Sequence, residues 1–201
     1  MSMGSSERSF RVPDGLSTEE FVLRPIRESD AELDYEAVMS SKEFLRDWEQ
    51  TGWPKDDFTV EANREDLVRL ERRHANGESF TYTVVHPTGD VCLGCVYVFP
   101  TNAELFAKAR VDPTTPSQWS SFDTAVYFWV RESRMKDGLD ARLLQALDPW
   151  FRDHWNIERY LLLTNERVAP QVHRLESTGH TLRFELAYSG KPGKELAYSR
   201  S

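Results

Sequence analysis

The sequence contains little cysteine and no long hydrophobic run. No apolar stretch reaches the roughly 18 residues that a membrane-spanning helix requires. The opening MSMGSSERS also lacks the apolar core of a secretory signal. With no such signal and only two cysteines, a reducing cytoplasm is the expected location, and no membrane partner is predicted.

Positive charge and several common enzyme motifs are also scarce. The net charge is -8 and the sequence pI is near 5.2, which argues against nucleic-acid binding because that function needs a basic surface. The chain has no HExxH, GxSxG or Walker motif, which argues against zinc proteases, α/β-hydrolases and P-loop enzymes. The acidic excess suits a cationic or amine substrate, although it also serves solubility alone.

The two cysteines, Cys92 and Cys95, form a CxxC pair inside a predicted strand. Residues three apart on a strand point to opposite faces, so the pair is expected neither to chelate one metal ion nor to form a disulfide easily. No second cysteine pair completes a zinc site. We therefore predict two buried structural thiols and no metal ligands.

The rest of the chain predicts one globular domain. Its 201 residues are 39% hydrophobic and 29% charged, which is enough for a sizeable core. Residues 1–20 are polar and contain Gly, Ser and Pro, so they predict a flexible arm, and residues 21–201 predict a single domain. The order of strand and helix patterns predicts an α/β (α+β) fold, with a mixed sheet of about seven strands and about four helices.

Alternation and periodicity locate these elements along the chain. The predicted helices lie at about 30–40, 60–74, 139–154 and 170–178. The predicted strands lie at 21–26, 79–85, 91–99, 123–130, 159–164, 181–188 and 195–199.

Local signals predict where some elements end. Thr59 is suited to cap the helix that begins at Val60, and the pair Asn76-Gly77 is suited to end it. Pro149 predicts a kink or a new helical turn, because proline removes a backbone hydrogen bond and clashes one turn back. Residues 100–122 predict a long polar connection, which is typical of a lid or a binding loop.

The segment SRMKDGLDARLL at 133–144 has the outline of an anion-binding turn. A helix N-terminus leaves N–H groups unpaired and carries partial positive charge, so it can hold a pyrophosphate. Gly138 lets the backbone approach closely. Asp140 opposes this, since two unit charges about 4 Å apart interact by up to about 4 kcal/mol at an effective dielectric of 20. Nearby cations offset part of that repulsion, namely Arg131, Arg134, Lys136 and Arg142. A plain capped helix without a ligand is the alternative.

Four segments, in order, resemble the GNAT family of acyl-CoA-dependent N-acetyltransferases. FVLRPIRESD resembles the opening strand of its ribosomal-protein alanine acetyltransferase branch, and the hairpin with DTAVYFWV matches the central strands. RMKDGLDARLLQAL resembles the acyl-CoA pyrophosphate loop and its helix, and HRLESTGH resembles the segment before the sixth strand. The likeness spans roughly residues 21–188 and implies a GNAT-like sheet with acetyl-CoA as co-substrate.

Two positions depart from the family pattern at this loop. The pattern has Arg or Gln three residues before its first glycine and Gly or Ala two residues after it. If Gly138 is that glycine, the two positions fall on Met135 and Asp140. The family asparagine that follows the fifth strand falls on Val168, and Asn165 lies three residues earlier.

The resemblance nevertheless implies a cofactor site around the turn and the preceding strand. A backbone N–H between Tyr127 and Val130 is implied to polarise the thioester carbonyl. The implied cofactor-binding residues are Tyr127, Val130, Arg131, Arg134, Lys136, Asp137, Gly138, Leu139, Asp140 and Asn165.

An amine attacks a thioester only when neutral, so a base or a water chain must take its proton. The candidate catalytic residues are Asp123 at a strand entry, and His173 and Glu176, which lie three apart on a helix and could pair; Glu132 is a fourth candidate. Asp123 equally fits a turn and His173 a helix surface. The tyrosine that some family members use as general acid is absent from the segment VHRLES.

Aromatic residues cluster in two regions that line the acceptor pocket in the resembling family. Trp48, Trp53 and Phe58 flank the second helix, and Trp119 and Phe122 end the long connection. They could hold an apolar or cationic acceptor, or equally belong to the core.

Two functions remain open from the sequence. The first is an N-acetyltransferase that moves an acetyl group from acetyl-CoA to a primary amine of a small molecule or a protein N-terminus by direct transfer. The alternative is a degenerate GNAT fold that acts as a non-catalytic binding or structural module. Asp140, Val168 and the missing tyrosine favour the alternative, and the continuous central strands favour the enzyme. A homodimer is compatible with both.

Overall fold

A computed structural model describes residues 11–200, which form one mixed nine-stranded sheet with helices on both faces. The strands are β1 (Leu16–Ser17), β2 (Val22–Pro25), β3 (Phe80–Val85), β4 (Cys92–Pro100), β5 (Ala109–Pro113), β6 (Thr124–Val130), β7 (Tyr160–Asn165), β8 (His180–Tyr188) and β9 (Glu195–Arg200). The helices are α1 (Ala31–Ser40), α2 (Lys42–Glu49), α3 (Val60–Ala75), α4 (Glu104–Ala107), α5 (Glu132–Met135), α6 (Leu139–Trp150) and α7 (Ala169–Ser177). Short 3-10 turns lie at Glu28–Asp30 and Trp119–Ser121, and a π-helical turn lies at Phe151–Trp155.

The order of the strands across the sheet is β1-β2-β3-β4-β6-β7-β9-β8-β5. In residues 11–200 every neighbouring pair is antiparallel except β6 and β7. Parallel strands need a crossover connection, and α5 with α6 supplies it by returning the chain over one face of the sheet. This parallel pair is the feature on which the candidate site depends.

Two apolar layers sandwich the sheet. On one face, α6 buries Leu139, Leu143, Leu147 and Trp150, whose spacing of three and four residues places them on one side of the helix. On the other face, α1, α2 and α3 pack around Trp129 and neighbouring side chains. The alternation along β6 therefore directs successive side chains into different layers.

The predicted mixed α/β sheet is confirmed, but its size was underestimated. Within residues 11–200 there are nine strands rather than about seven, and seven α-helices rather than about four. Residues 100–122 are a folded segment with α4, β5 and a 3-10 turn, not a structureless connection. The strand β5 was not predicted because its sequence, ARVDP, is short, charged and ends in proline. A sheet tolerates proline at its edge, and β5 is an edge strand that pairs with β8.

The cysteines are buried and free, as predicted, but they do not lie on opposite faces. Both sulfurs approach the same carboxylate oxygen, Asp34 Oδ1, at 3.9 Å from Cys92 and 3.5 Å from Cys95. The β3–β4 register shifts near Val84. Gly94 has a φ of 152°, and a side chain there is excluded because a Cβ would collide with the Trp129 carbonyl. Such a bulge inserts a residue and reverses the alternation, so the expectation of opposite faces was wrong.

The helix-end signals have mixed outcomes. Thr59 caps α3, since its side chain accepts from the Ala62 N–H at 3.1 Å, and Asn76 follows the helix as predicted. The new helical turn expected at Pro149 does not occur, because α6 continues through Pro149 and passes into the π-helical turn. Trp150, the residue after Pro149, is buried in the core.

The arm predicted at residues 1–20 is described from residue 11 onward; its first ten residues, like residue 201 at the end of the predicted domain, lie outside the described part. From residue 11 it contributes β1, which pairs with β2. The Pro13 carbonyl accepts from Tyr82 Oη at 2.7 Å, and the Gly15 carbonyl accepts from Trp150 Nε1 at 3.0 Å. In the described residues, no helix is long and apolar enough to cross a bilayer.

Candidate active site

A gap opens where β6 and β7 diverge. Their pairing runs from Thr124 opposite Tyr160 to Tyr127 opposite Leu163 and then stops. Beyond it, the Arg131 N–H donates to the Leu93 carbonyl on the β4 side at 2.7 Å. Because backbone groups alternate sides along a strand, the N–H of Val130 faces the β7 side, past the last paired residues. This end of β6 therefore presents a backbone donor to the gap.

Side chains from two helices enter the same gap. The Phe128 carbonyl accepts from Trp48 Nε1 of α2 at 3.2 Å and from Gln171 Nε2 of α7 at 3.0 Å. Asn165, at the end of β7, donates from Nδ2 to the backbone carbonyls of Asp47 at 3.1 Å and Trp48 at 2.7 Å. The end of α2 is thus fixed between the two strands.

The turn before α6 presents free backbone donors. Gly138 caps the helix with a φ of 73°, in the left-handed region that favours glycine. The N–H groups of Leu139 and Asp140 have no hydrogen-bond partner in residues 11–200. Unpaired amides at a helix N-terminus attract anions, so the turn has the donors that a diphosphate needs.

The carboxylate of Asp140 is paired with a cation of α7. Asp140 is buried, and its Oδ2 accepts from Arg174 Nε of α7 at 3.3 Å. The pairing cation is therefore Arg174, which the sequence analysis did not consider, rather than one of the four cations near the turn. An ion pair with Arg174 reduces the repulsion that Asp140 would exert on an anion at the turn.

Another carboxylate does lie against the turn. Glu20 accepts from Arg142 Nη2 at 2.6 Å and lies 3.6 Å from Arg134 Nη2. The hydrogen bond from Arg142 lowers the pKa of Glu20. Arg142 also donates to the Asp137 carbonyl at 2.6 Å, which folds its guanidinium over the glycine of the turn. Part of the basic cluster is thus occupied by an acid of the chain itself.

A cavity of about 570 Å³ lies on the opposite face of the sheet. It runs from α3, past β4 and β6, to the hairpin between β8 and β9. Aromatic side chains contribute much of its wall, namely Trp48, Trp53, Tyr97, Phe99, Tyr127 and Tyr188. Trp48 and Tyr127 belong to both the gap and the cavity, so the two spaces adjoin at β6.

Two glutamates line the inner part of this cavity. Glu195 accepts from Tyr127 Oη at 2.6 Å and from Lys191 Nζ at 2.8 Å, so its carboxylate is fully engaged. The carboxylate of Glu49 has no hydrogen bond or ion pair within residues 11–200. Burial raises the pKa of Glu49, the Lys191 ammonium opposes that rise, and the neighbouring Glu195 adds to it. Glu49 therefore has a free lone pair and a raised proton affinity.

Burial also raises the pKa of two other cavity groups. The pKa of Tyr127 is well above its usual value because the hydroxyl is buried and lies beside the charge of Glu195. The pKa of Asp34 is raised by burial, against hydrogen bonds from Asn63 and Cys95. Burial thus disfavours the charged forms of both groups.

The predicted site residues fall into three places. Arg134, Lys136, Asp137, Gly138, Leu139 and Asp140 surround the turn, with Val130 and Arg131 at the adjoining end of β6. Tyr127 and Asn165 line the cavity instead. The predicted catalytic residues lie apart from both: Asp123 precedes β6 at its far end, and His173 and Glu176 are exposed on α7, where Glu176 accepts from Tyr198 Oη at 3.3 Å.

Several residues of the site escaped sequence reasoning, among them Glu20, Glu49, Arg174, Lys191 and Glu195. Glu49 ends α2, which the sequence did not predict as a separate helix. Lys191 and Glu195 are distant from the motifs and meet β6 only because β9 lies beside β7. One signal was present in the sequence: Glu49 lies between Trp48 and Trp53, a carboxylate among aromatics of the predicted acceptor region.

Neither the protein-family models nor the curated proteins contain a match to this chain. Solved structures match it over nearly its whole length. RimL, a ribosomal L7/L12 α-N-protein acetyltransferase in complex with coenzyme A, is 18% identical, covers 96% of this chain and 97% of its own, and has a TM-score of 0.65. The ribosomal-protein-S5-alanine acetyltransferase from Vibrio fischeri is 19% identical over 92% of this chain and 94% of its own, with a TM-score of 0.63.

A third structure, the microcin C7 self-immunity acetyltransferase MccE in complex with acetyl-CoA and AMP, is 14% identical, covers 94% of this chain and 96% of its own, and has a TM-score of 0.67. At identities this low, the similarity shows a shared fold. The chemistry has to be inferred from the residues of this chain. The chain has the fold of the GNAT N-acetyltransferases that its sequence motifs resemble.

Proposed function

We propose that this protein is an N-acetyltransferase that moves an acetyl group from acetyl-CoA directly to a primary amine. One observation carries the proposal. The divergence of β6 and β7 joins a turn with free amides on one face to a cavity on the other face that is lined by Glu49. A direct transfer needs such a passage, because donor and acceptor must meet at one point while entering from different sides.

The residues at the turn fit the pyrophosphate of coenzyme A. The N–H groups of Leu139 and Asp140 are unpaired, Gly138 leaves room for close approach, and Asp140 is turned toward Arg174. Lys136 is exposed and has no ion pair in residues 11–200, so it is available to an anion. When bound, acetyl-CoA supplies the acetyl group as a thioester, which an amine nucleophile can attack.

Glu49 is the base that the geometry supports best. A general base should have a pKa near the working pH and a free lone pair within the acceptor space. Glu49 has the free lone pair, because its carboxylate is unpaired in the described residues, and burial raises its pKa from the ordinary value, which is the direction that a base requires. In this role Glu49 takes the proton from the acceptor amine and leaves it neutral. Asp123, His173 and Glu176 remain sequence-based predictions for the same role.

The pair formed by Lys191 and Glu195 positions this end of the cavity. Glu195 holds the hydroxyl of Tyr127 and the ammonium of Lys191, so the hairpin between β8 and β9 is fixed against β6. The N–H of Val130, which faces the gap, is the backbone donor that would polarise the thioester carbonyl. These groups orient reactants and stabilise charge, and Glu49 moves the proton.

The acceptor is a primary amine of a small molecule or a protein N-terminus. Two of the similar structures act on ribosomal proteins, L7/L12 and S5, and one carries AMP beside acetyl-CoA. Both kinds of acceptor are therefore worth testing here. We also propose a cytoplasmic location, to which two free buried thiols are suited.

The direct test is an acetyl-transfer assay. The purified chain is mixed with acetyl-CoA and either small amines or peptides that begin with Ser or Ala. Release of the coenzyme A thiol is followed with a disulfide dye, and mass spectrometry detects the acetylated product. Parallel calorimetry measures acetyl-CoA binding without an acceptor. No transfer to any amine, together with no binding of acetyl-CoA at millimolar concentration, would refute the proposed function.

A further inference from the structure

The end of the cavity nearest α3 is basic. Arg69 and Arg73 lie one helical turn apart and both line the cavity, together with Asp66. Arg69 pairs with Asp66, whereas the side chain of Arg73 has no hydrogen bond or ion pair in residues 11–200. This end therefore keeps one uncompensated guanidinium beside a second arginine.

The opposite end of the cavity carries the glutamates. α3 lies beside β3, since His74 Nδ1 is 3.0 Å from the Thr81 carbonyl, whereas Glu195 begins β9. Three strands, β4, β6 and β7, separate β3 from β9 in the sheet. At about 4.8 Å per strand, the two backbones are roughly 19 Å apart. Arginine and glutamate side chains are long, so the distance between their charged groups is shorter than the distance between the backbones.

Between the two ends, the wall is largely aromatic. Trp48, Tyr97 and Phe99 face the cavity from α2 and β4. Asp34 also lines the cavity, and burial raises the pKa of its carboxyl, which disfavours a negative charge at the centre. An apolar spacer suits this stretch better than a charged one, because a charge there would lose hydration without gaining a partner.

We propose that the natural acceptor carries an anionic group, a carboxylate or a phosphate, at the end remote from its amine. The amine lies near Glu49, an apolar segment crosses the aromatic wall, and Arg73 with Arg69 binds the anion. Arginine suits this task because its planar guanidinium donates two parallel hydrogen bonds to either group. The inference rests on the proposed function for the direction of the ligand, with the amine at the glutamate end.

A series of acceptors of increasing length tests the proposed anion site. Straight-chain ω-amino acids, from aminobutyrate to aminooctanoate, are compared with alkylamines of equal length and with ω-aminoalkyl phosphates. Binding is measured by calorimetry without acetyl-CoA, and transfer is measured separately by thiol release. We expect the anionic members to bind more tightly than the alkylamines, with an optimum length. The comparison of carboxylates with phosphates identifies which anion is preferred.

Two matched variants locate the anion site. Arg73→Gln should weaken binding of the best ω-amino acid by about fivefold, the upper range for a partly exposed ion pair, and leave the alkylamine unchanged. Arg72→Gln is the control, since Arg72 is the neighbouring exposed arginine of α3 and does not line the cavity. Raised salt should remove the difference, because exposed charges are screened.

The outcomes separate the two proposals. Equal binding and transfer of alkylamines and ω-amino acids would overturn the anion site and leave the transferase standing. Equal losses in Arg73→Gln and Arg72→Gln would also overturn it, because only a general charge effect would remain. Arg73-dependent binding without transfer to any amine would support the anion site and refute the enzyme.

Discussion

The two sides of the gap between β6 and β7 are built in different ways. The turn side comes from one continuous segment, α5 to α6, and its donors are backbone amides. The cavity side gathers side chains from α1, α2, α3, β4, β6 and the β8–β9 hairpin. The turn side is therefore specified by a local segment, whereas the cavity side forms only when the sheet has assembled.

This difference explains why one side tolerates an unusual residue. Backbone donors do not depend on side-chain identity, so Asp140 can occupy a family glycine position once Arg174 draws its carboxylate away. The cavity side has no such freedom, because Glu49 and Glu195 act through their own carboxylates. Substitutions should therefore affect chemistry most on the cavity side and binding most on the turn side.

The largest expected effect is at Glu49. Glu49→Gln removes the base but keeps the shape of the side chain, so we expect kcat to fall by about 10²- to 10⁴-fold, the usual contribution of a general base. Acetyl-CoA affinity, measured by calorimetry, should stay the same. Glu65→Gln on the exposed face of α3 is the control. Retained activity in Glu49→Gln would show that another group is the general base.

The pH dependence of stability offers a second view of Glu49. Its pKa is raised in the folded chain above the ordinary 4.5, so the neutral form stabilises the fold at low pH, and that contribution is lost as pH rises through the raised pKa. The melting temperature of Glu49→Gln should exceed that of the native chain, and the difference between the two should grow as pH rises from 4.5. Thermal melts at several pH values check this. A constant difference across that range would contradict a raised pKa.

The next largest effect is expected on the turn side, at Gly138. Gly138→Ala forces a Cβ into the left-handed region, at a cost of about 1 kcal/mol, and places it 3.3 Å from Arg142 Nη1. Acetyl-CoA binding should weaken by about tenfold, because the turn and its amides shift. Gly77→Ala is matched in backbone, with a φ of 71° against 73°, and has open space. If both variants lose affinity equally, the turn is not the anion site.

The sequence predicted the elements that depend on local pattern. Thr59 capped its helix, and the leucines after Gly138 formed one buried face, because both signals lie within a few turns of chain. It failed where distant strands meet. A bulge near Gly94 reversed the faces of the cysteines, and no spacing rule joins Glu195 to Tyr127, which are adjacent only through the sheet order.

A smaller effect is expected at Glu20, the acid that contacts the turn. Glu20→Gln removes a carboxylate from Arg142 and Arg134, so these cations become available to a diphosphate. Acetyl-CoA should bind about two- to fivefold more tightly, in keeping with the modest strength of exposed ion pairs. Glu19→Gln, an exposed neighbour, is the control for net charge. Weaker binding in Glu20→Gln would mean that Glu20 orders the turn rather than competing for it.

The smallest effect on binding is expected at Asp140, and it tests the turn side most sharply. Asp140→Asn keeps the volume of the side chain but weakens its pairing with Arg174. The free energy of unfolding should therefore fall by about 1 kcal/mol, and the midpoint of thermal unfolding should fall with it. Acetyl-CoA affinity should change less than twofold, because the carboxylate already points toward α7. A much tighter complex would show that Asp140 faces the diphosphate, and the two sides of the gap would then be equally sensitive to their side chains.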